Sequence, residues 1–491
     1  MTPSRTTGST SARRRTPPGG TSPRAVPTAE HEHTRRGNRT RADSAPRSPE
    51  EPATATAPED RQERAPRRRF RPGSPAAWWH RVSGADGPVR GESPVVTYYV
   101  LLVATFMLLV IGLMMVYSVQ SVSSAAAGTN SLVAYAKYLV FAVVGVAGML
   151  TVSRLRITTL KTGAWWVLGL ALVAQVGVFI PGVGQNIMGN SNWIKLPGGM
   201  TLQPSEFIKL GLCLVLGRAA WKHVERMRGG VRTWAETKPF LLHIGVPIGL
   251  GVGLVLAGGD LGTSIIIVLA AFGALWMSGL SRRWFLGVGV LGVAGFALIS
   301  TVKASRRARI MAWLDPSGSD PLGLAYQPRH GLFALGTGGW LGVGPGGSRQ
   351  KWGYLTQADS DYIFAIVGEE LGLVGTVLVI ALFLALGWCC VRIMRRSRDR
   401  FVVVTTGGLM AWIVGQALIN MSVVVGLLPV LGVPLPLISA GGSALIAVLG
   451  AIGVLLAFAR HEPGAQEALS ARAGSVRRTL TVITPRRRNR A

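Results

Sequence analysis

Apolar residues in this chain fall into long unbroken runs rather than into the narrow stripes of soluble helices or the alternation of strands. Between Glu92 and Lys137 no charged side chain occurs. Residues 96–119 within that run exceed the roughly 20 apolar positions that a bilayer-spanning helix needs. Further runs of the same character lie near 132–153, 163–180, 205–221, 239–257, 262–279, 284–302, 371–392, 401–427 and 439–459. The pattern predicts an all-α polytopic membrane protein with about ten transmembrane helices. The last two come from one charge-free stretch, 401–459, which Pro429, Pro434 and Pro436 interrupt. Proline removes a backbone donor and clashes with the preceding turn, so two helices joined by a turn are expected there.

The basic residues orient these spans. Arg154, Arg156 and Lys161 fall in one loop, and Arg218, Lys222, Arg226, Arg228, Arg232 and Lys238 in another. Arg282 and Arg283 mark a third, and Arg392, Arg395, Arg396, Arg398 and Arg400 a fourth. Lys and Arg collect in cytoplasmic loops. Both tails are therefore expected in the cytoplasm. The long loop 303–361, between helices 7 and 8, is expected outside. That loop is itself basic, with Arg306, Arg307, Arg309, Arg329, Arg349 and Lys351, which invites a functional explanation.

Composition agrees with a membrane chain carrying polar tails. Charged residues make up 15% of the 491 positions and apolar ones 48%, whereas soluble domains carry about 25% charge. The net charge is +29, and the tails supply much of it. Residues 1–95 hold 18 Arg against 10 acids in a Pro-, Ser- and Thr-rich context with few aliphatic residues. Such a segment cannot bury enough apolar surface to offset its ordering entropy. The expected organisation is a disordered basic tail over 1–95, a membrane domain over 96–460 and a basic tail over 461–491. Basic tails raise the question of nucleic-acid binding without proving it, and no nucleic-acid partner is expected. Cys213, Cys389 and Cys390 lie in apolar runs without metal-ligand spacing and are expected to be buried thiols.

The outer loop holds the candidate chemistry. Its 59 residues show no helix or strand signal, and loops of that length are usually functional or disordered; the aromatic, glycine-rich and basic content argues against disorder. The glycine cluster 336–347 has no preceding strand and no following Gly-Lys-Ser/Thr, so it is not a nucleotide fingerprint. It fits either an interfacial loop or a re-entrant segment whose backbone approaches a ligand closely. Arg349 and Lys351 beside it suit a phosphate or pyrophosphate. Asp361 ends the loop, with Glu369 and Glu370 two turns further on. A carboxylate at an apolar boundary is suited to general base chemistry, although Asp361 is equally placed to cap the next helix, and Asp359 competes with it. Within the spans, Glu206 and Lys209 share a helical face, and Asp260 opens another span. These charges either pair to fix helix packing or line a cavity for a charged headgroup. His243 stands alone on an apolar helix and is expected to pack.

Five segments in order resemble the SEDS family of membrane proteins. They are Gln203-Pro-Ser-Glu206 with Lys209, Asp260-Leu-Gly-Thr263, Gly347-Ser-Arg-Gln-Lys-Trp-Gly-Tyr-Leu355, Asp361-Tyr-Ile-Phe-Ala-Ile-Val-Gly-Glu-Glu-Leu-Gly372 and Pro434-Leu-Pro-Leu-Ile-Ser-Ala-Gly-Gly-Ser443. Val116-Tyr-Ser118 and the Ser-Arg-Gln-Lys-Trp-Gly-Tyr run favour the cell-division branch over the elongation branch. The chain departs from the family at Thr356-Gln-Ala-Asp-Ser-Asp361, which adds a second carboxylate, and at Ser439-Ala-Gly-Gly-Ser-Ala444, which lacks a tyrosine hydroxyl and a serine.

The resemblance implies a peptidoglycan glycosyltransferase that polymerises lipid II, an undecaprenyl-pyrophosphoryl disaccharide-pentapeptide, by inverting transfer. It implies Asp361 as the base. Arg349, Lys351, Lys209, Gln203 and Glu206 become candidates for the pyrophosphate or lipid II, and Asp260, Glu369 and Glu370 structural or cavity charges. It leaves a metal site unknown and a divalent cation, Mg or Mn, open as cofactor. The implied partners are a class B penicillin-binding transpeptidase, division-site membrane proteins and membrane lipid, at the plasma membrane of the division septum. A lipid II flippase and a scaffold recruiting a transpeptidase are the alternative readings.

Overall fold

The computed structural model describes residues 95–187, 190–228, 238–239, 241–279, six positions between 285 and 295, 304–315 and 325–471. Residues 1–94 of the expected disordered tail, and 13 of the 19 positions of the expected span 284–302, lie outside the described residues.

The chain is helical where its apolar runs predict. In order come α1 (Val96–Ala126), α2 (Ser131–Ser153) and α3 (Ile157–Gly177). A three-stranded antiparallel sheet follows, β1 (Gly184–Ile187), β2 (Asn190–Leu196) and β3 (Met200–Leu202) in that spatial order. Then come α4 (Pro204–Arg228), α5 (Val246–Ala257) and α6 (Leu261–Ser278), with a π turn, Leu241–Gly245, leading into α5. The outer segment contains α7 (Ala304–Leu314) and α8 (Tyr326–Gly338). The bundle closes with α9 (Ile363–Arg396), α10 (Arg400–Val424) and α11 (Gly442–Arg460).

Among the described residues, seven helices are long and apolar enough to cross a membrane: α1, α2, α3, α6, α9, α10 and α11. Helix α4 is long but carries Glu206, Lys209 and Arg218, and α5 is short. The chain is thus a polytopic helical membrane protein. Three expectations are corrected. The segment 303–361 is not a helix-free loop, because α7 and α8 form within it. The span expected at 371–392 begins at Ile363, since the apolar stretch Ile363–Val367 joins it across Glu369 and Glu370. A small sheet, invisible as an apolar run, sits between α3 and α4.

Helices approach closely where glycine removes the side chain. A Cβ on Gly273 of α6 would lie 2.6 Å from the carbonyl oxygen of Gly407 on α10, so both backbones meet through small residues, the usual device where lipid offers no hydrophobic drive. On α1, a Cβ at Gly112 would lie 2.5 Å from the carbonyl oxygen of Leu437. That contact seats the proline-rich turn 425–441 against the bundle. Helix α6 is capped by Asp260, whose carboxylate accepts from Thr263 N at 2.9 Å, and α10 by Asp399, which accepts from Phe401 N at 2.9 Å. Each cap satisfies a backbone donor that has no intrahelical partner.

Candidate active site

The glycine-rich segment after α8 does approach another backbone, but it is that of α9 rather than a ligand. Gly372 interrupts α9 with φ 67°. A Cβ there would stand 2.3 Å from the amide nitrogen of Gly342. Leu373 N donates to Gly339 O at 2.9 Å, Val374 N to Trp340 O at 3.2 Å and Val343 N to Glu369 O at 2.9 Å. The helix break therefore accepts the loop as a partner for backbone groups that an unbroken helix would consume.

Glu369 and Glu370 complete this clamp, as structural charges. Both are buried. Glu369 accepts from the Ser348 hydroxyl, and from the amides of Arg349 at 2.9 Å and Gln350 at 3.4 Å. Glu370 accepts from Gly346 N at 2.9 Å, Ser118 Oγ at 2.7 Å and Lys351 Nζ at 2.8 Å. Lys351 Nζ also donates to Gly346 O at 2.7 Å and Ser118 Oγ at 2.8 Å. The Lys351 ammonium, expected as a pyrophosphate ligand, is thus buried and spent on Glu370, as burial of a cation demands. Arg349 differs. Its peptide is pinned by Glu369 while its exposed guanidinium has no partner among the described residues.

A similar division applies below the site. Lys209 and Glu206 pair at 2.8 Å, both almost fully buried. Lys209 Nζ also donates to Gln416 Oε1 at 3.1 Å and lies 5.0 Å from the Trp412 ring centre. Gln416 Nε2 in turn donates to Pro434 O at 2.8 Å. The pair therefore neutralises itself and ties α4 to α10 and the proline-rich turn, rather than offering charge to a headgroup. Gln203 Nε2 donates to Asp260 Oδ2 at 3.1 Å, and Thr263 Oγ1 to the same oxygen at 2.7 Å. Gln203 and Asp260 hold each other.

Asp361 is arranged in the opposite way: its backbone is held and its carboxylate is not. Ala440 N donates to Asp359 O at 2.8 Å, Ser439 Oγ to Ser360 O at 2.6 Å and Asn420 Nδ2 to Asp361 O at 2.7 Å. Ser439 Oγ also accepts from Leu435 N at 2.7 Å, and Asn420 Nδ2 donates to Val433 O at 2.8 Å. Three successive carbonyls are so anchored to α10 and the proline-rich turn. The half-buried carboxylate of Asp361 has no hydrogen-bond partner among the described residues. Gly432, with φ 69°, lies beside it; a Cβ there would stand 3.6 Å from Oδ2. The capping alternative is overturned, because Tyr362 occupies the cap position of α9 and no side chain caps that end.

Burial pushes the Asp361 carboxyl up to about 7, the charges of Asp260 and Asp359 push the same way, and Arg309 on α7 opposes them. Burial also raises Asp359, against a backbone hydrogen bond that lowers it. Asp361 is therefore half ionised near neutrality. It can accept a proton there, which a fully solvated carboxylate does poorly. Among the described residues no three His, Cys, Asp or Glu side chains gather into a metal-binding group.

Sequence reasoning singled out Asp361 but missed Asn420, Ser439, Gln416 and the particular role of Arg309. Asn420 and Gln416 are amides inside a charge-free span, a signal that polar groups in membrane helices have a partner. Ala440, where the family resemblance led us to expect a tyrosine, serves through its amide and needs no hydroxyl for that bond.

Comparison with known proteins identifies the family of the chain. The family profile described as "Cell cycle protein", covering FtsW, RodA and SpoVE, matches residues 99–463. The chain is 34% identical over 394 residues to the "Probable peptidoglycan glycosyltransferase FtsW" of Mycobacterium bovis, covering 80% of this chain and 73% of that one. It is 34% identical over 364 residues to "Stage V sporulation protein E" of Bacillus subtilis, covering 74% of this chain and 96% of the relative. Among solved structures, a chain from "Structural coordination of polymerization and crosslinking by a peptidoglycan synthase complex" aligns with TM-score 0.57 and 25% identity, covering 73% of this chain and 96% of that one. With its matched span running from α1 to the end of α11, the chain belongs to the FtsW/RodA/SpoVE family.

Proposed function

We propose that this protein is a peptidoglycan glycosyltransferase that polymerises lipid II at the outer face of the plasma membrane, in the service of cell division. The observation that carries the reading is Asp361: anchored through three carbonyls, unpartnered at its carboxylate and poised near neutrality. The relatives named as peptidoglycan glycosyltransferases support the substrate class.

The reaction joins the acceptor sugar's 4-hydroxyl to the anomeric carbon of the donor. Asp361 takes the hydroxyl proton as the C–O bond forms. The bond from the anomeric carbon to the diphosphate breaks, and its electron pair leaves with the undecaprenyl diphosphate. Attack opposite the leaving group inverts an α-linked donor to a β-1,4 product. Developing charge on the diphosphate calls for preorganised cations. Arg309, within electrostatic reach of Asp361, and Arg349, free at the loop surface, fill that role here. Lys209 and Lys351 position structure instead.

A class B penicillin-binding transpeptidase is the proposed partner, consistent with the similarity to a chain of a peptidoglycan synthase complex. Both tails are placed in the cytoplasm and the protein at the septum. A flippase would need charged groups open along a membrane path; Glu206 and Lys209 instead pair with each other on α4, and Asp260 accepts from Gln203 and Thr263. The test is fluorescent lipid II incubated with purified protein and its transpeptidase, resolved on a gel. Polymer from wild type and none from Asp361→Asn is expected. Equal polymer from both rejects the assignment, and lipid II translocation by the inactive variant would favour the flippase.

A further inference from the structure

The outer segment carries a second group of side chains that the transfer chemistry does not use. On α8, Tyr326 and His330 stand one turn apart with ring centres 4.0 Å apart and planes tilted by 35°. Tyr354 lies nearly parallel to the same imidazole, at 6.0 Å and 14°. Phe333 meets it edge-on at 5.6 Å. His330 Nδ1 lies 2.6 Å from Gln350 Oε1. The imidazole is thus the filler of a stack whose outer rings, Tyr326 and Tyr354, are 44% and 53% exposed.

This stack is coupled to the catalytic turn. Gln327 Nε2 donates to Thr356 O at 2.8 Å, at the start of the segment that ends in Asp361. Gly331, next to His330, packs so closely on Tyr362 that a Cβ would stand 2.7 Å from its ring. Neighbours of the rings on α8 therefore contact the chain on either side of Asp361, at Thr356 and Tyr362.

We propose that this stack is a platform for the glycan strand, on which a pyranose ring of the polymer lies beside the site of transfer. The axial C–H bonds of a β-linked amino sugar form a flat, weakly positive face, which matches the negative face of an aromatic ring. Its equatorial hydroxyls need donors and acceptors at the rim, and the amides of Gln327 and Gln350 bring both. A lipid tail would be met better by aliphatic side chains without amides. The consequence is retention: a strand held on Tyr326 and Tyr354 stays within reach of Asp361 between successive additions. The proposal rests on the glycosyltransferase reading for its ligand.

The first test uses the full-length Asp361→Asn protein in nanodiscs with soluble, lipid-free, uncrosslinked peptidoglycan strands. Adding Tyr326→Ala and Tyr354→Ala is expected to weaken strand binding at least tenfold, while Tyr326→Phe with Tyr354→Phe keeps it. Unchanged binding on removing the rings, or no binding by the parent, overturns the platform. The second uses wild-type background and labelled lipid II. The double alanine variant is expected to yield strands severalfold shorter at an unchanged initial rate of lipid II consumption. Strands of wild-type length overturn the proposal, as does a common loss of rate and length with normal strand binding, which would make the rings membrane anchors. Strand binding without any polymer from wild type would sink the transfer reading and leave the platform standing.

Discussion

Removing a carboxylate from water penalises its charged form, and neighbouring acids add to that penalty. At Asp361 both act together, and the side chain gains no hydrogen bond in return. The base must be ionised to work, so kcat/KM for lipid II is expected to rise about tenfold per pH unit below pH 7 and level off above it; a profile from pH 5 to 9 checks this. The same carboxyl should cost stability. Its folded value of about 7 lies above the ordinary 3.8, so the unfolded chain ionises first as pH rises. Stability then falls between about pH 4 and 7 and stays low above. Asp361→Asn is therefore expected to lower polymer output by about 10²–10⁴-fold while melting higher than wild type at pH 8 and equally near pH 3.5. A residue needed for folding would melt lower instead.

At the scale of elements, the loop from α8 to Asp361 is held by α9 more than by its own secondary structure. Glu369 and Glu370 satisfy amides that a glycine-rich turn cannot pair internally, and Lys351 balances one of the two charges. Lys351→Ala leaves Glu370 buried beside neutral donors alone, and breaking such a pair costs about 3–5 kcal/mol. Chemical or thermal unfolding should register that loss, and Lys351→Met combined with Glu370→Gln should recover much of it. Gly372→Ala is expected to destabilise by at least about 1–3 kcal/mol, because alanine resists the positive φ and its Cβ would meet Gly342. Its polymer output should fall with the displaced loop even though Gly372 touches no reacting atom.

For the whole molecule, the bundle places the polar network of α4, α6 and α10 beneath the proline-rich turn, and that turn beneath Asp361. Asp359 is a near neighbour of Asp361 in sequence, whereas the charge of Asp260 reaches Asp361 only because two distant segments converge. The basic loops predict an orientation with Asp361 outside and Arg398 inside. Thr356→Cys in spheroplasts should react with a membrane-impermeant maleimide, and Arg398→Cys should react only after permeabilisation. The native cysteines are buried and should stay silent. Labelling of the Thr356→Cys protein from the inside alone would reverse the topology and remove the site from lipid-linked substrate on the outer face. Deleting residues 1–85 should leave polymer output of the purified protein unchanged, because the transfer chemistry is assigned to the bundle and its outer segment.

The sequence by itself determined what depends on local composition. Apolar run length set helices such as α2, α6 and α10 to within a few residues, since a helix in lipid must satisfy its own backbone. Loop charge predicted an orientation, and the order of short polar motifs marked the family and made Asp361 a candidate. The tertiary structure alone decided which charges are free. Lys351 and Arg349 are two residues apart and look alike as anion ligands, yet one is buried against Glu370 and the other stands exposed. Glu206 and Lys209 read as a cavity or a brace until Gln416 and Trp412 surround them. Helices α7 and α8, the break at Gly372 and the grip of Asn420 and Ser439 on the turn that ends in Asp361 were likewise hidden. Each depends on contacts between residues far apart in the chain, which no local pattern encodes.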